Sequence, residues 1–299
     1  MSAVYSATRL ADGTPVAIKM LTGEAMKDPE NILRHQREID LGQRIRHPNI
    51  IHIFGGGYEA GVHYLLMELI AGASMEAVIT SKGRLAWAEA AHLIAQVGKG
   101  LEYLGSLQIV HRDIKPANII LTPGGQVKLI DLGFAKPGAQ MQTVDNGMTM
   151  VGTAMGSPAY MPPEQVLDAS TASHRSDVYS LGATFFHAAT GQVPFSGKNY
   201  HEVMTKVVRE PVPDPRTFAP DLPPAIAELI LWAMDKTPTA RPHDAATFVN
   251  ELAICSNQPL NGARIRWQRF RHRGAVGIGA MALGGMLLFA GFFWWLLRH

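Results

Sequence analysis

The apolar pattern of this chain changes character along its length, and that change constrains the fold more than any other feature. Up to about residue 70 the apolar residues come in short runs suited to strands. Val16 to Leu21 reads as a strand, with Asp12-Gly13 as the turn before it. Pro29 to Arg46 reads as a helix, and Pro48 lies just beyond it. Ile50 to Phe54 and Val62 to Leu69 read as two further strands. The triple glycine Gly55-Gly56-Gly57 between them has the composition of a phosphate loop, but no helix follows it, so it reads as a hairpin turn. Beyond residue 70 the period becomes helical. Leu93, Val97, Leu101 and Leu104 recur at that spacing within Ala86 to Ser106. Further helices are expected at Ser176 to Thr190, Pro224 to Met234 and Asp244 to Leu252. The pattern therefore predicts an α+β fold with a small β-rich lobe over residues 1–70 and a larger helical lobe over 71–254.

Composition supports a folded chain: of 299 residues, 47% are hydrophobic and 17% charged. The net charge of +2 lacks the basic excess of a nucleic-acid binder, so no nucleic-acid partner is expected. A single cysteine, Cys255, cannot form an intramolecular disulfide, which points to a reducing compartment. The first ten residues lack the basic and apolar regions of a secretory signal.

Composition changes again near the C-terminus. Residues 255–274 read as a basic linker, with five arginines between Arg264 and Arg273 and Trp267 and Phe270 among them. Ala275 to Leu297 then runs without a charge, and as a helix would reach about 34 Å, enough to cross a hydrocarbon core of about 30 Å. The arginines predict that the N-terminal side stays inside. The expectation is a single-pass protein of the cell (inner) membrane, with its folded domain in the cytoplasm.

Chemistry concentrates in two short motifs. His111-Arg112-Asp113-Ile114-Lys115-Pro116-Ala117-Asn118 is followed by Asp131-Leu132-Gly133. Transfer of a phosphoryl group needs a carboxylate to orient the attacking hydroxyl, oxygen ligands for a divalent cation, and cations on the phosphates. Asp113 suits the first role, Asn118 and Asp131 the second, and Lys115 a γ-phosphate contact. Such oxygen ligands suit Mg²⁺.

These motifs, in this order, resemble the eukaryotic-like (Hanks-type) serine/threonine protein kinase family, in its bacterial membrane-anchored branch. The resemblance runs from about Met1 to Leu252. Val16-Ala17-Ile18-Lys19 is similar to the strand that carries the phosphate-binding lysine, and Glu38 to its ion-pair partner. Tyr64-Leu65-Leu66-Met67-Glu68 resembles the strand entering the adenine hinge. The resemblance implies that the purine meets backbone groups of Glu68 and Ile70, between Ala17 and Ile120. Gly156 to Glu164 resembles the end of an activation segment, although Pro162 stands where the family usually has Ala. Asp177 to Gly182 resembles the helix that supports the catalytic loop, and Arg241 the arginine that pairs with Glu164. Lys115, two residues after Asp113, marks the serine/threonine class.

The resemblance implies an enzyme that uses ATP with Mg²⁺ (or Mn²⁺), acts on protein substrates, and self-associates for autophosphorylation. It also implies that Arg112 receives a phosphate from the activation segment. Of Thr143, Thr149, Thr153 and Ser157, Thr149 matches a usual phosphosite best and Thr153 next. One departure stands out. Ser2-Ala3-Val4 matches only the end of the family's glycine-rich loop, with Val4 at its valine. Either a start upstream of Met1 supplies the rest, which is the expected case, or the chain is a pseudokinase serving as a scaffold.

Overall fold

The computed structural model describes residues 2–132, 135–137 and 158–257. Gly133, Thr143, Thr149, Thr153, Ser157 and the expected span Ala275 to Leu297 lie outside the described residues. Among the described residues no helix is long and apolar enough to cross a membrane.

The first lobe is one antiparallel sheet. Its strands are β1 (Ser2–Thr8), β2 (Pro15–Leu21), β3 (Ile53–Glu59) and β4 (Val62–Glu68), in the order β1-β2-β4-β3. β1 extends the strand content beyond the sequence reading. The turn that folds it back on β2 uses Asp12, whose carboxylate accepts from the Thr14 amide at 3.1 Å, and Gly13 at φ 72°. Helix α1 (Pro29–Gly42) packs on β3 and β4. Asp28 caps it by accepting from the Glu30 amide at 2.9 Å, and Pro29 occupies the first turn, where no amide is needed.

The helix ends at Gly42, four residues short of the expectation. A Cβ at Gly42 would sit 2.2 Å from Ile53 Cδ1, so helix and strand touch backbone to side chain there. The triple glycine is also corrected: it lies within β3, and the hairpin turn is Ala60-Gly61, both at positive φ. Close packing explains the composition. A Cβ on Gly56 would meet the Tyr64 carbonyl oxygen at 2.4 Å and Ile39 Cδ1 at 2.5 Å.

The second lobe opens with β5 (Ala73–Ser74), α2 (Met75–Lys82) and α3 (Trp87–Ser106). Short strands β6 (Ile109–Val110), β7 (Ile119–Leu121), β8 (Val127–Leu129) and β9 (Lys136–Pro137) follow, then α4 (Pro163–Leu167), α5 (His174–Thr190), α6 (Tyr200–Arg209), α7 (Pro224–Ala233) and α8 (Ala245–Asn257). Leu93, Val97, Leu101 and Leu104 are buried on α3, as their spacing predicts. Fully burying one such side chain contributes about 1.5–3 kcal/mol. Helix α5 is buried on nearly every side, which marks it as the axis of the lobe. α3, α7 and α8 all pack on it.

The lobes are sewn together behind the hinge. Ile51 donates its amide to the Leu129 carbonyl at 2.9 Å, and Leu129 donates to Asn49 at 2.8 Å. β8 is thereby fixed beside the first lobe, and Asp131 follows it directly.

Candidate active site

Two clusters of charged side chains form at the junction of the lobes. The first joins three elements. Lys19 on β2 reaches the Glu38 carboxylate on α1 at 3.0 and 2.8 Å, and its Nζ lies 3.6 Å from Asp131 Oδ1. Burial works against the Lys19 ammonium, but the Glu38 and Asp131 carboxylates outweigh it and hold its pKa above the ordinary value. Burial pushes the Glu38 carboxyl up, and the Lys19 charge opposes that rise. Each partner therefore depends on the other.

The second cluster is the loop after β6. Lys115 Nζ donates to both Asp113 oxygens, at 3.0 and 2.8 Å. Asn118 Nδ2 donates to the Asp113 carbonyl at 2.9 Å and to its Oδ2 at 2.8 Å. The Asn118 backbone carbonyl accepts from the Ile130 amide at 2.9 Å. With Nδ2 also engaged, the side-chain oxygen Oδ1 is left to face a hard cation. Together with the Asp131 carboxylate, it gives a donor set that fits Mg²⁺ or Mn²⁺.

Backbone geometry aims these groups. Arg112 and Asp131 stand at φ 72° and 66°, in a region that costs a non-glycine residue energy and that recurs at functional sites. The loop is held from below by Asp177 in the first turn of α5, which accepts from the His111 and Arg112 amides at 2.8 Å each. Burial pushes the Asp177 carboxyl up, against these two N–H groups that favour its charged form. Gln165 adds a tie, donating to the Arg112 carbonyl at 3.0 Å.

Strand register relates the candidates on the first two strands. Val4 pairs with Lys19 and Ser6 with Ala17, so Val4, Ala17 and Lys19 share one face of the sheet. Ala17 is buried, whereas Val4 is 58% exposed. Ile70 packs at the edge of the core just after β4, and Ile120 lies on β7. Gly72 lets the chain cross β7 closely, since a Cβ there would stand 2.4 Å from the Leu121 carbonyl oxygen.

The Glu68 side chain is itself engaged. Its carboxylate accepts from Lys128 Nζ at 2.6 Å and from the His52 amide at 2.8 Å, bracing the hinge against β8. Lys128 carries no motif signal, because alternation along a three-residue strand gives no warning of a partner sixty residues away. Farther off, Glu164 and Arg241 form a two-pronged pair at 2.7 Å each, with Ser176 Oγ also donating to Glu164 at 2.8 Å. Burial disfavours the Glu164 carboxylate, yet its bonds from Arg241 hold its pKa below the usual range.

The protein kinase domain matches residues 1–252. Among curated proteins, the chain is 37% identical to the serine/threonine-protein kinase PknA of Mycobacterium tuberculosis over 259 residues, covering 85% of this chain and 58% of that one. It is 33% identical to the serine/threonine-protein kinase PrkC of Bacillus subtilis, over 81% of this chain and 36% of PrkC. It is 32% identical to the probable serine/threonine-protein kinase PknB of Corynebacterium glutamicum, over 88% and 41% respectively. The chain thus spans little more than half of these relatives' length at most. From the matched domain, which accounts for most of its residues, the chain belongs to the protein kinase family.

Proposed function

We propose that this protein is a serine/threonine protein kinase, transferring the γ-phosphoryl group of ATP to Ser or Thr hydroxyls of proteins, itself included. The observation that carries the reading is the assembly of Lys19, Glu38 and Asp131 beside a separately ordered Asp113, Lys115 and Asn118. ATP supplies the phosphoryl group, and its phosphates need cations and a metal to offset their charge. Lys19 is held charged by Glu38 and Asp131, ready to pair with phosphate. Asn118 and Asp131 offer oxygens to Mg²⁺ or Mn²⁺. Asp113 accepts the proton of the substrate hydroxyl, and Lys115, bonded to both its oxygens, holds the carboxylate in place. Assembly of both clusters weighs against a scaffold without activity. The test is transfer of labelled phosphate from Mg-ATP to the chain and to a generic Ser/Thr peptide. D113N should lose at least about 10²-fold while keeping its melting temperature. Full transfer by D113N would sink the assignment.

The charge-free run Ala275 to Leu297 and the arginines before it support a second element of the proposal, a tether to the inner membrane with the kinase domain in the cytoplasm. The full chain should sediment with membranes and resist extraction by high salt. A fragment ending near residue 254 should stay in solution. A full-length protein that needs no detergent would contradict the tether.

A further inference from the structure

Helix α1 meets the sheet of the first lobe through a narrow stripe. Its buried residues are His35, Glu38, Ile39 and Gly42, at the spacing of one helical face. Of these four, Ile39 alone brings a large apolar side chain. Glu38 is held by Lys19 across the gap to β2. His35 opens the stripe at 3% exposure, and neither of its ring nitrogens makes a hydrogen bond among the described residues. Buried polar atoms are nearly always partnered, so this ring calls for a reason.

The elements packed on α1 are β3, β4 and the short turn Gly23–Met26. The His35 ring faces that of His63 on β4, with centroids 6.4 Å apart and planes 73° apart. His63 rests in turn on Tyr58 of β3, at 4.6 Å. His63 and Tyr58 also border an open cavity of about 410 Å³, together with Met26, Ile32 and Gly61, so water reaches the outer side of the pair. Burial above all, and then the charges of Lys19 and His63, oppose a proton on His35. Among the described groups that act on the ring, the Tyr64 backbone alone favours one, and no carboxylate takes part. The ring is therefore neutral near pH 7.

A proton added while α1 stays seated would create a buried cation beside the Lys19 ammonium, with no counter-charge. Burying a charge without a partner is costly. The cost is relieved when α1 lifts and the ring meets water. The Lys19–Glu38 pair spans β2 and α1, so that movement carries Glu38 away from Lys19.

We propose that His35 is a positioning residue that makes the Lys19–Glu38 pair sensitive to protons. Neutral, it lets α1 sit on the sheet; protonated, it unseats α1 and parts Glu38 from Lys19. The sign is that of a group whose folded pKa is depressed: the seated state has its full stability above the free-ring value near pH 6.5 and loses it as pH falls below. Glu38 acts in the opposite sense, since burial raises its carboxyl pKa and acid then favours the seated form. The consequence for phosphate transfer rests on the kinase reading, whereas the movement of α1 does not.

The test is hydrogen exchange of the full chain followed by mass spectrometry at pH 7.5 and pH 5.5, with each rate corrected for the intrinsic pH dependence of exchange. Protection of α1 relative to α5 should fall by up to about tenfold, the ratio in which a free ring of pKa near 6.5 takes up a proton at pH 5.5. H35L cannot titrate and should lose the fall, whereas H63Q should retain it. Should H35L fail to fold, H35Q serves as the non-titrating variant. A merely structural role would change protection by the same factor at both pH values. Phosphate transfer should drop at pH 5.5 more in the parent than in H35L. No fall in the parent, or an equal fall in the parent and the non-titrating variant, would overturn the proposal. A fall confined to the parent, in a chain that transfers no phosphate at either pH, would support this inference and overturn the kinase reading.

Discussion

Removing Glu164 should expose how much of the second lobe hangs on one buried cation. The Arg241 side chain is fully buried, and among the described residues Glu164 is the carboxylate paired with it, through bonds of 2.7 Å to both guanidinium prongs. E164A leaves that cation in the interior. Breaking a buried pair from one side typically costs about 3–5 kcal/mol. The structure argues for the lower part of that range, because the backbone still serves the guanidinium. Asp235 accepts from Nε at 2.7 Å, Arg175 from one terminal nitrogen at 3.0 Å, and Lys236 from the other at 3.3 Å. About 3 kcal/mol translates to a fall of roughly 6–12 °C in melting temperature for a domain of this size. R241M alone strands the Glu164 carboxylate beside Ser176 and should also destabilise. The double variant E164A/R241M should recover part of the loss, since it buries no lone charge. The assay is thermal unfolding followed by circular dichroism, with each variant at equal concentration. Acid provides an independent check. Because the Glu164 pKa is depressed in the folded protein, its contribution is complete above the ordinary carboxylate range and disappears as pH falls through the folded value. The parent should therefore lose its advantage over E164A only below about pH 4. A shift under about 2 °C for E164A, or a double variant no better than the sum of the singles, would refute the reasoning.

Lys19→Met should lower phosphate transfer by about 10²-fold or more, measured with labelled ATP. It should also leave Glu38 buried without its cation, so the carboxyl pKa rises further; a raised folded value gives stability at low pH that is lost as pH increases, and the melting gap to the parent should widen between pH 5 and pH 8. Gly191→Ala should destabilise strongly, by about 2 kcal/mol or more in denaturant unfolding, since Gly191 ends α5 at φ 72° and a Cβ there would lie 2.1 Å from the Gly83 carbonyl oxygen. Mass spectrometry of active protein should find phosphate on Thr149 or Thr153, with Thr→Ala there lowering activity; an unmodified segment in active protein would count against that role.

The chemistry was legible in one dimension because its residues are consecutive. Asp113, Lys115 and Asn118 lie within one turn-rich loop, so their types and spacing already state what they can hold. Helix α3 was legible for a related reason: its apolar period is local, and the lobe's core only confirms the face it predicts. Tertiary structure decided what depends on approach between distant segments. The triple glycine has the composition of a turn, yet it is a strand, because Ile39 and the Tyr64 carbonyl press on Gly56 from outside its own stretch of chain. At the end of helix α1 only a glycine fits, because Ile53 stands where a Cβ at Gly42 would be. The Lys19–Glu38 contact, the Glu68–Lys128 brace and the Glu164–Arg241 pair join residues from separate elements, and no local period encodes them. Sequence thus determined which groups the protein has to work with. Packing decided which of them are buried, charged and facing one another, because burial and proximity, which set a side chain's protonation and reach, are properties of the folded chain alone.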